Sequence, residues 1–159
     1  MELSFGMIFS IILIIVFLAF AFYAIKKFLG IQDSVLIGNF LDDLSTGVNK
    51  MWGGSQGSQP VEYSLPKRIE YVCFVDFSAR KGLGAKKDIY DELEKYFKEG
   101  DNLVFYPLGS SKTLRSKEIE HIDIAKMTED DNPLCIENKD GKVKMTIKKN
   151  FEEDLVIIS

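Results

Sequence analysis

LSFGMIFSIILIIVFLAFAFYAI, Leu3 to Ile25, decides how the rest of the chain is read. It holds no charged side chain, and only Ser4, Gly6 and Ser10 interrupt its hydrocarbon surface. About 20 apolar residues, rising about 1.5 Å each, cross the roughly 30 Å hydrocarbon core of a bilayer. The stretch therefore predicts a membrane-spanning helix. A cleaved secretory signal would carry a basic n-region and a shorter apolar run of about 7–15 residues. Here only Met1 and Glu2 precede the run, so Ala19-Phe20-Ala21 is read as part of a retained anchor rather than a cleavage site.

The chain continues as IKKFLGIQDSVLIGNFLDDLSTGVNKMW without an obvious break. Phe28, Leu29, Val35, Leu36, Phe40, Leu44, Val48 and Met51/Trp52 recur at helical spacing, with Lys26, Lys27, Gln32, Asp33, Asn39, Asp42 and Asp43 between them. That pattern predicts an amphipathic stem packed on protein rather than lipid, because its polar face is mixed and slightly acidic, not Lys/Arg-rich. GGSQGSQP, Gly53 to Pro60, has linker composition and ends in a residue that stops a helix. The predicted organisation is a spanning and stem helix over 1–52, a Gly/Ser/Gln linker over 53–60 and a head over 61–159.

Local patterns give the head an α+β class. Val61 to Pro66 alternates and ends at a proline, as an edge strand does. Ile69 to Phe77, IEYVCFVDF, is apolar on both faces and predicts a central strand. Lys86 to Glu99 places Ile89, Tyr90, Leu93, Tyr96 and Phe97 on one helical face, with Gly100 as the cap. Leu103 to Tyr106 predicts another strand, and Ile122 with Ile124 a short one that turns His121 and Asp123 outward. In LCIENKDGKVKMTIKK, an Asp140-Gly141 turn opposes Glu137 to Lys144, Ile136 to Met145 and Leu134 to Ile147. Leu155 to Ile158 adds a last strand. One helix on a mainly antiparallel sheet of about five strands is the expected head.

Composition excludes more chemistry than it suggests. From Pro60 onward 17 Lys/Arg stand against 20 Asp/Glu, within a chain of net charge −4. No basic stripe suited to nucleic acid is present. Cys73 and Cys135 are too far apart for CxxC chemistry, and a single histidine leaves no metal-ligand set. Gly82-Leu83-Gly84 with Arg80, Lys81, Lys86 and Lys87 lacks the spacing of a phosphate loop and reads as a solvated basic loop. Its sharper alternative is a site for an anionic polymer or lipid headgroup. His121 with Asp123 lacks a nucleophile, and Glu129-Asp130-Asp131 lacks the EF-hand pattern. No catalytic residue, cofactor or metal is expected.

A hydrophobic helix near the N-terminus that runs on as an amphipathic stem into a small β-rich head resembles the type IV pilin-like proteins, archaeal ones included. The resemblance rests on LSFGMIFSIILIIVFLAFAFYAIKKFL and the stem after it. It implies a single-pass membrane protein, a structural subunit whose spans bundle with heads outward. Such proteins usually bear a basic leader ending in glycine and a glutamate at the fifth mature position. Here no leader is read before Met1, and position five is Phe5. The lipid bilayer is the expected partner, with self-association through Gly6, Ser10 and Ala21, small residues that let helices approach closely. The alternative is a tethered binding domain of a larger complex that forms no filament.

Two signals bear on orientation. Lys26 and Lys27 directly after the span favour a cytoplasmic head; the resemblance and the two cysteines favour an extracytoplasmic one, which is the expectation. Outside, Cys73 and Cys135 would form a disulfide; otherwise both are buried free thiols.

Overall fold

The computed structural model describes residues 5–82, 84–97, 100–112 and 114–159. Leu3 and Ser4 of the expected span, Leu83 of the basic loop and the expected helix end at Lys98-Glu99 lie outside the described residues. The fold is α+β: a helix α1 (Phe5–Trp52), then strands β1 (Gly57–Ser64) and β2 (Tyr71–Phe74). Helix α2 (Lys87–Leu93), strands β3 (Leu103–Tyr106) and β4 (Ser116–Lys117) and helix α3 (Ile124–Met127) follow. Strands β5 (Leu134–Lys139), β6 (Lys142–Lys149) and β7 (Ile157–Ile158) complete it. Two compact units meet between Asp33 and Ser34.

In the first unit α1 is apolar and exposed from Gly6 to Ile25. Met7, Phe9, Ile14, Phe17, Phe20 and Phe22 are all exposed. The helix from Gly6 is the candidate membrane span, with a mean hydropathy of 3.0 and none of its apolar window buried. Ser10 does not leave a free hydroxyl in this surface, because its Oγ donates to the Gly6 carbonyl at 2.8 Å. Such a bond one turn back satisfies a polar group inside the helix that carries it.

In the second unit the rest of α1 is core. Ile37, Phe40, Leu41, Leu44 and Val48 are at most 4% exposed. They pack with Leu65, just past β1, and with Val72, Phe74, Phe105, Val143, Met145 and Ile147 of the sheet. Phe40 meets Tyr63 and Phe105 edge-on, with ring centroids 5.3 and 5.8 Å apart, an arrangement that opposes positive ring edges to negative faces. The structural boundary therefore lies at Asp33/Ser34, not at the Gly/Ser/Gln stretch. That stretch is also only half linker, since Gly57 to Pro60 belong to β1.

The sheet has seven strands rather than about five, in the order β1-β6-β5-β2-β3-β4 with β7 also on β6. All strand pairs are antiparallel. β1 is an edge strand, as expected of a strand containing proline. Pro60 stands opposite Thr146, whose own N–H and C=O are both bonded to Ser159, so the missing proline N–H costs no ladder bond. β2 is central and buried, between β3 and β5.

The β5–β6 turn is the expected one. Asp140 and Gly141 have φ of 55° and 88°, the two left-handed residues a primed turn needs. Lys139 pairs with Lys142 and Asn138 with Val143, and the ladder ends there, because β5 leaves β6 to pair along β2. The Glu137–Lys144 ion pair accordingly does not form. Lys144 and Lys142 both reach Glu62 on β1, at 3.4 and 2.6 Å. Two other expectations are corrected. The helix after the basic loop closes at Leu93, with Tyr96 exposed beyond it. Ile124 opens α3 instead of a strand, with Asp123 as its N-cap accepting from Lys126 N.

Candidate functional site

A cleft of about 860 Å³ lies between the basic loop and α2. Phe77 and Tyr90 give it an aromatic wall; Arg80, Lys81 and Lys87 bring positive charge, and Asp88, Asp91 and Glu94 negative charge. Its loop is built rather than merely connected. Asp76 Oδ1 accepts from Ser78 N, Ser78 Oγ and Ala79 N, closing an Asx turn. Tyr90 Oη donates to the Ala79 carbonyl at 2.9 Å.

Asn132 clamps the loop from behind. Its side chain is 2% exposed; Oδ1 accepts from Asp76 N, and Nδ2 donates to the Asp76 and Arg80 carbonyls. Its own carbonyl accepts from Gly82 N. Glycine is needed at Gly82, where a Cβ would lie 2.4 Å from the Asn132 nitrogen. At Gly84 a Cβ would lie 1.5 Å from an Asp131 carboxylate oxygen. Gly82 thus serves a close backbone contact and Gly84 makes room for the Asp131 carboxylate, with no need of a phosphate to explain either.

The charges of the cleft are partly spent on each other. Lys81 Nζ lies 2.7 Å from Asp91 Oδ2, and this hydrogen bond raises the lysine pKa. Burial raises the Tyr90 hydroxyl above its ordinary value, helped by Glu94, so it is a neutral donor at neutral pH. Lys86 turns away from the cleft, with Nζ 2.8 Å from Tyr71 Oη and 4.0 Å from its ring centroid. The four cations of the loop are therefore not gathered on one ligand. The cleft suits a neutral or zwitterionic partner better than a phosphate polymer.

The structure places the remaining sequence candidates as follows. Cys73 and Cys135 face each other across β2 and β5 and are joined as a disulfide, S–S 2.07 Å, beneath α2. His121 is not an outward strand histidine: it has a φ of 65° and stacks on Trp52, centroids 3.7 Å apart and planes 3° from parallel. Asp123 is occupied as a helix cap. Glu129, Asp130 and Asp131 are exposed, and no group of acids, cysteines or histidine suited to a metal occurs among the described residues. Gly6, Ser10 and Ala21 lie on the uncovered part of α1.

Sequence reasoning missed Asn132 and the Trp52–His121 pair. Both join residues far apart in the chain. Asn132-Pro133 in a turn-rich acidic run was the only local hint of the first, and nothing local marks the second. No protein-family model matches the chain, and neither does any of the curated proteins or solved structures compared with it.

Proposed function

We propose that this chain is a single-pass membrane-anchored protein of pilin-like arrangement, structural in role, which displays its α+β head outside the cytoplasm. One observation carries the reading. A single helix, α1, is apolar and exposed from Gly6 to Ile25 in one unit and lends a buried face to the folded core in the next. A soluble protein would not leave Met7, Phe9, Phe17, Phe20 and Phe22 in water, since a bare apolar surface of that length drives aggregation. The Cys73–Cys135 bond supports an oxidising compartment for the head. Lys26 and Lys27 oppose that orientation, so topology is tested directly.

Carbonate-washed membranes should retain the protein, and protease added to intact cells should remove the head. A head cut only after lysis places it in the cytoplasm; release by carbonate ends the membrane reading. Self-association of the spans is part of the proposal, and negative-stain images of the purified protein decide it by the presence or absence of filaments. Ser10 already bonds within its own helix, so bundling would rest on close packing rather than on hydroxyl bonds between helices.

A further inference from the structure

Among the described residues β1 has a neighbour, β6, on one side only, and the edge at the other end of the sheet, β4, is two residues long against eight in β1. A very short edge strand offers little to pair with, whereas a long exposed one is a template for a strand of another chain. The alternation of ladder bonds decides which groups β1 turns to its open side. Thr146, opposite Pro60, gives its N–H and C=O to Ser159, away from β1. Pro60 therefore points its backbone away from β6, and so do Ser58, Glu62 and Ser64 at every second position, while Gln59, Val61 and Tyr63 face β6. All four outward residues are exposed, and of the four only Pro60 has no N–H to offer.

Charge is another common guard of a sheet edge, and here it is already engaged. Glu62 is the only charged residue of β1, and its carboxylate is held by Lys142 at 2.6 Å and Lys144 at 3.4 Å on the neighbouring strand. The proline is left as the guard. When two copies of β1 meet antiparallel, hydrogen-bonded pairs must join outward residues. Pro60 then stands opposite Ser58, Pro60, Glu62 or Ser64 in every register that overlaps more than the ends of the strands. Two-fold symmetry places the defect in both copies. Each proline leaves a carbonyl of the other strand without a donor and sets a ring where the N–H would be.

We infer that Pro60 guards the open edge of β1, barring a second copy of the chain from adding its own β1, so that neighbouring heads stay separate or meet through side chains alone. The guard acts whichever way the head faces, and whether or not the spans bundle.

The test uses the full chain in nanodiscs loaded with one copy each, which keeps spans apart while heads of different discs can meet; empty discs are the control. Sedimentation velocity over rising concentration reads association, and wild-type discs should remain single. Pro60→Val restores the missing donor in both copies, and each recovered bond is worth about tenfold, so these discs should pair about a hundredfold more tightly. Pro60→Thr restores the same donor without an apolar side chain and should behave alike. Adding Ser58→Pro to Pro60→Val moves the block to the next outward position and should return the discs to single particles. None of these changes touches a bond to β6, so every variant should still unfold cooperatively on heating. Wild-type discs that pair, or Pro60→Val and Pro60→Thr discs that both stay single, would overturn the inference. So would pairing by the valine variant alone, which marks an apolar contact, or pairing that survives the added Ser58→Pro, which places the contact away from β1.

Discussion

Removing the stem should unfold the head. A fragment from Gly57 to Ser159 keeps every strand but loses Ile37, Phe40, Leu41, Leu44 and Val48, each at most 4% exposed. Burying a large aliphatic or aromatic side chain is worth about 1.5–3 kcal/mol, so these five contribute together about 8–15 kcal/mol, an upper estimate. The whole stability of a domain of this size is about 5–15 kcal/mol. The fragment should therefore lack a cooperative thermal transition by circular dichroism, and it should bind a hydrophobic dye through the exposed faces of Val143, Met145 and Ile147. A fragment from Ser34 to Ser159 should melt cooperatively, and adding a synthetic 34–52 peptide to the shorter one should restore folding. A sharp, reversible transition in the Gly57 fragment without the peptide would refute the reasoning. So would Phe40→Ala in the longer fragment costing well under about 3 kcal/mol, the lower end for emptying a buried aromatic site.

Further outcomes follow from single sites. Gly38→Ala, where an added Cβ meets nothing within 4 Å, should raise the stability of the Ser34 fragment by about 0.5–1 kcal/mol in denaturant titration. Gly82→Ala, which drives a Cβ to 2.4 Å from the Asn132 nitrogen, should lower it by about 1–3 kcal/mol in the same measurement. Reducing the Cys73–Cys135 bridge frees a loop with a sequence separation of 62, worth about 4 kcal/mol by chain entropy, read as a lower denaturant midpoint with reductant than without. Glu62 is held below its ordinary pKa mainly by its hydrogen bond from Lys142, and Glu153 by those from Lys126 and Asn150. A depressed folded-state pKa gives stability that is present above the ordinary carboxylate value and lost as pH falls through the folded one. Lys142→Ala and Lys126→Ala should therefore flatten the loss of stability below about pH 4.5 and leave its shape near neutrality unchanged.

What could be read in the sequence was local, and what could not was set by distant partners. The Asp140-Gly141 hairpin was legible because turn geometry and register are fixed by adjacent residues. So was β2, since a strand apolar on both faces has nowhere to go but the middle of a sheet. The stripe Phe40, Leu44, Val48 announced that the stem is amphipathic, but such a stripe does not say what covers it. The answer, sheet residues such as Phe105 and Ile147, lies far along the chain. Gly57 to Pro60 looked like linker because side-chain composition was judged, whereas an edge strand is held by backbone bonds that need no particular side chain. In the candidate cleft, Arg80, Lys81 and Lys87 were visible as a basic loop. Their dispersal was not, because Asp91 neutralises Lys81 and Tyr71 draws Lys86 away only once the fold exists.

The pairing of β1 with β6 brings together the first and nearly the last strands of the head. Until Lys142 to Lys149 have been made, β1 has no neighbour, and the buried side of α1 faces a half-built sheet. Contacts that distant in sequence close slowly, because loop entropy is lost before they form. Assembly of the head is therefore a late event in the life of the chain. Under the proposed external orientation, that delay would leave the polypeptide behind the span unfolded while it crosses the membrane.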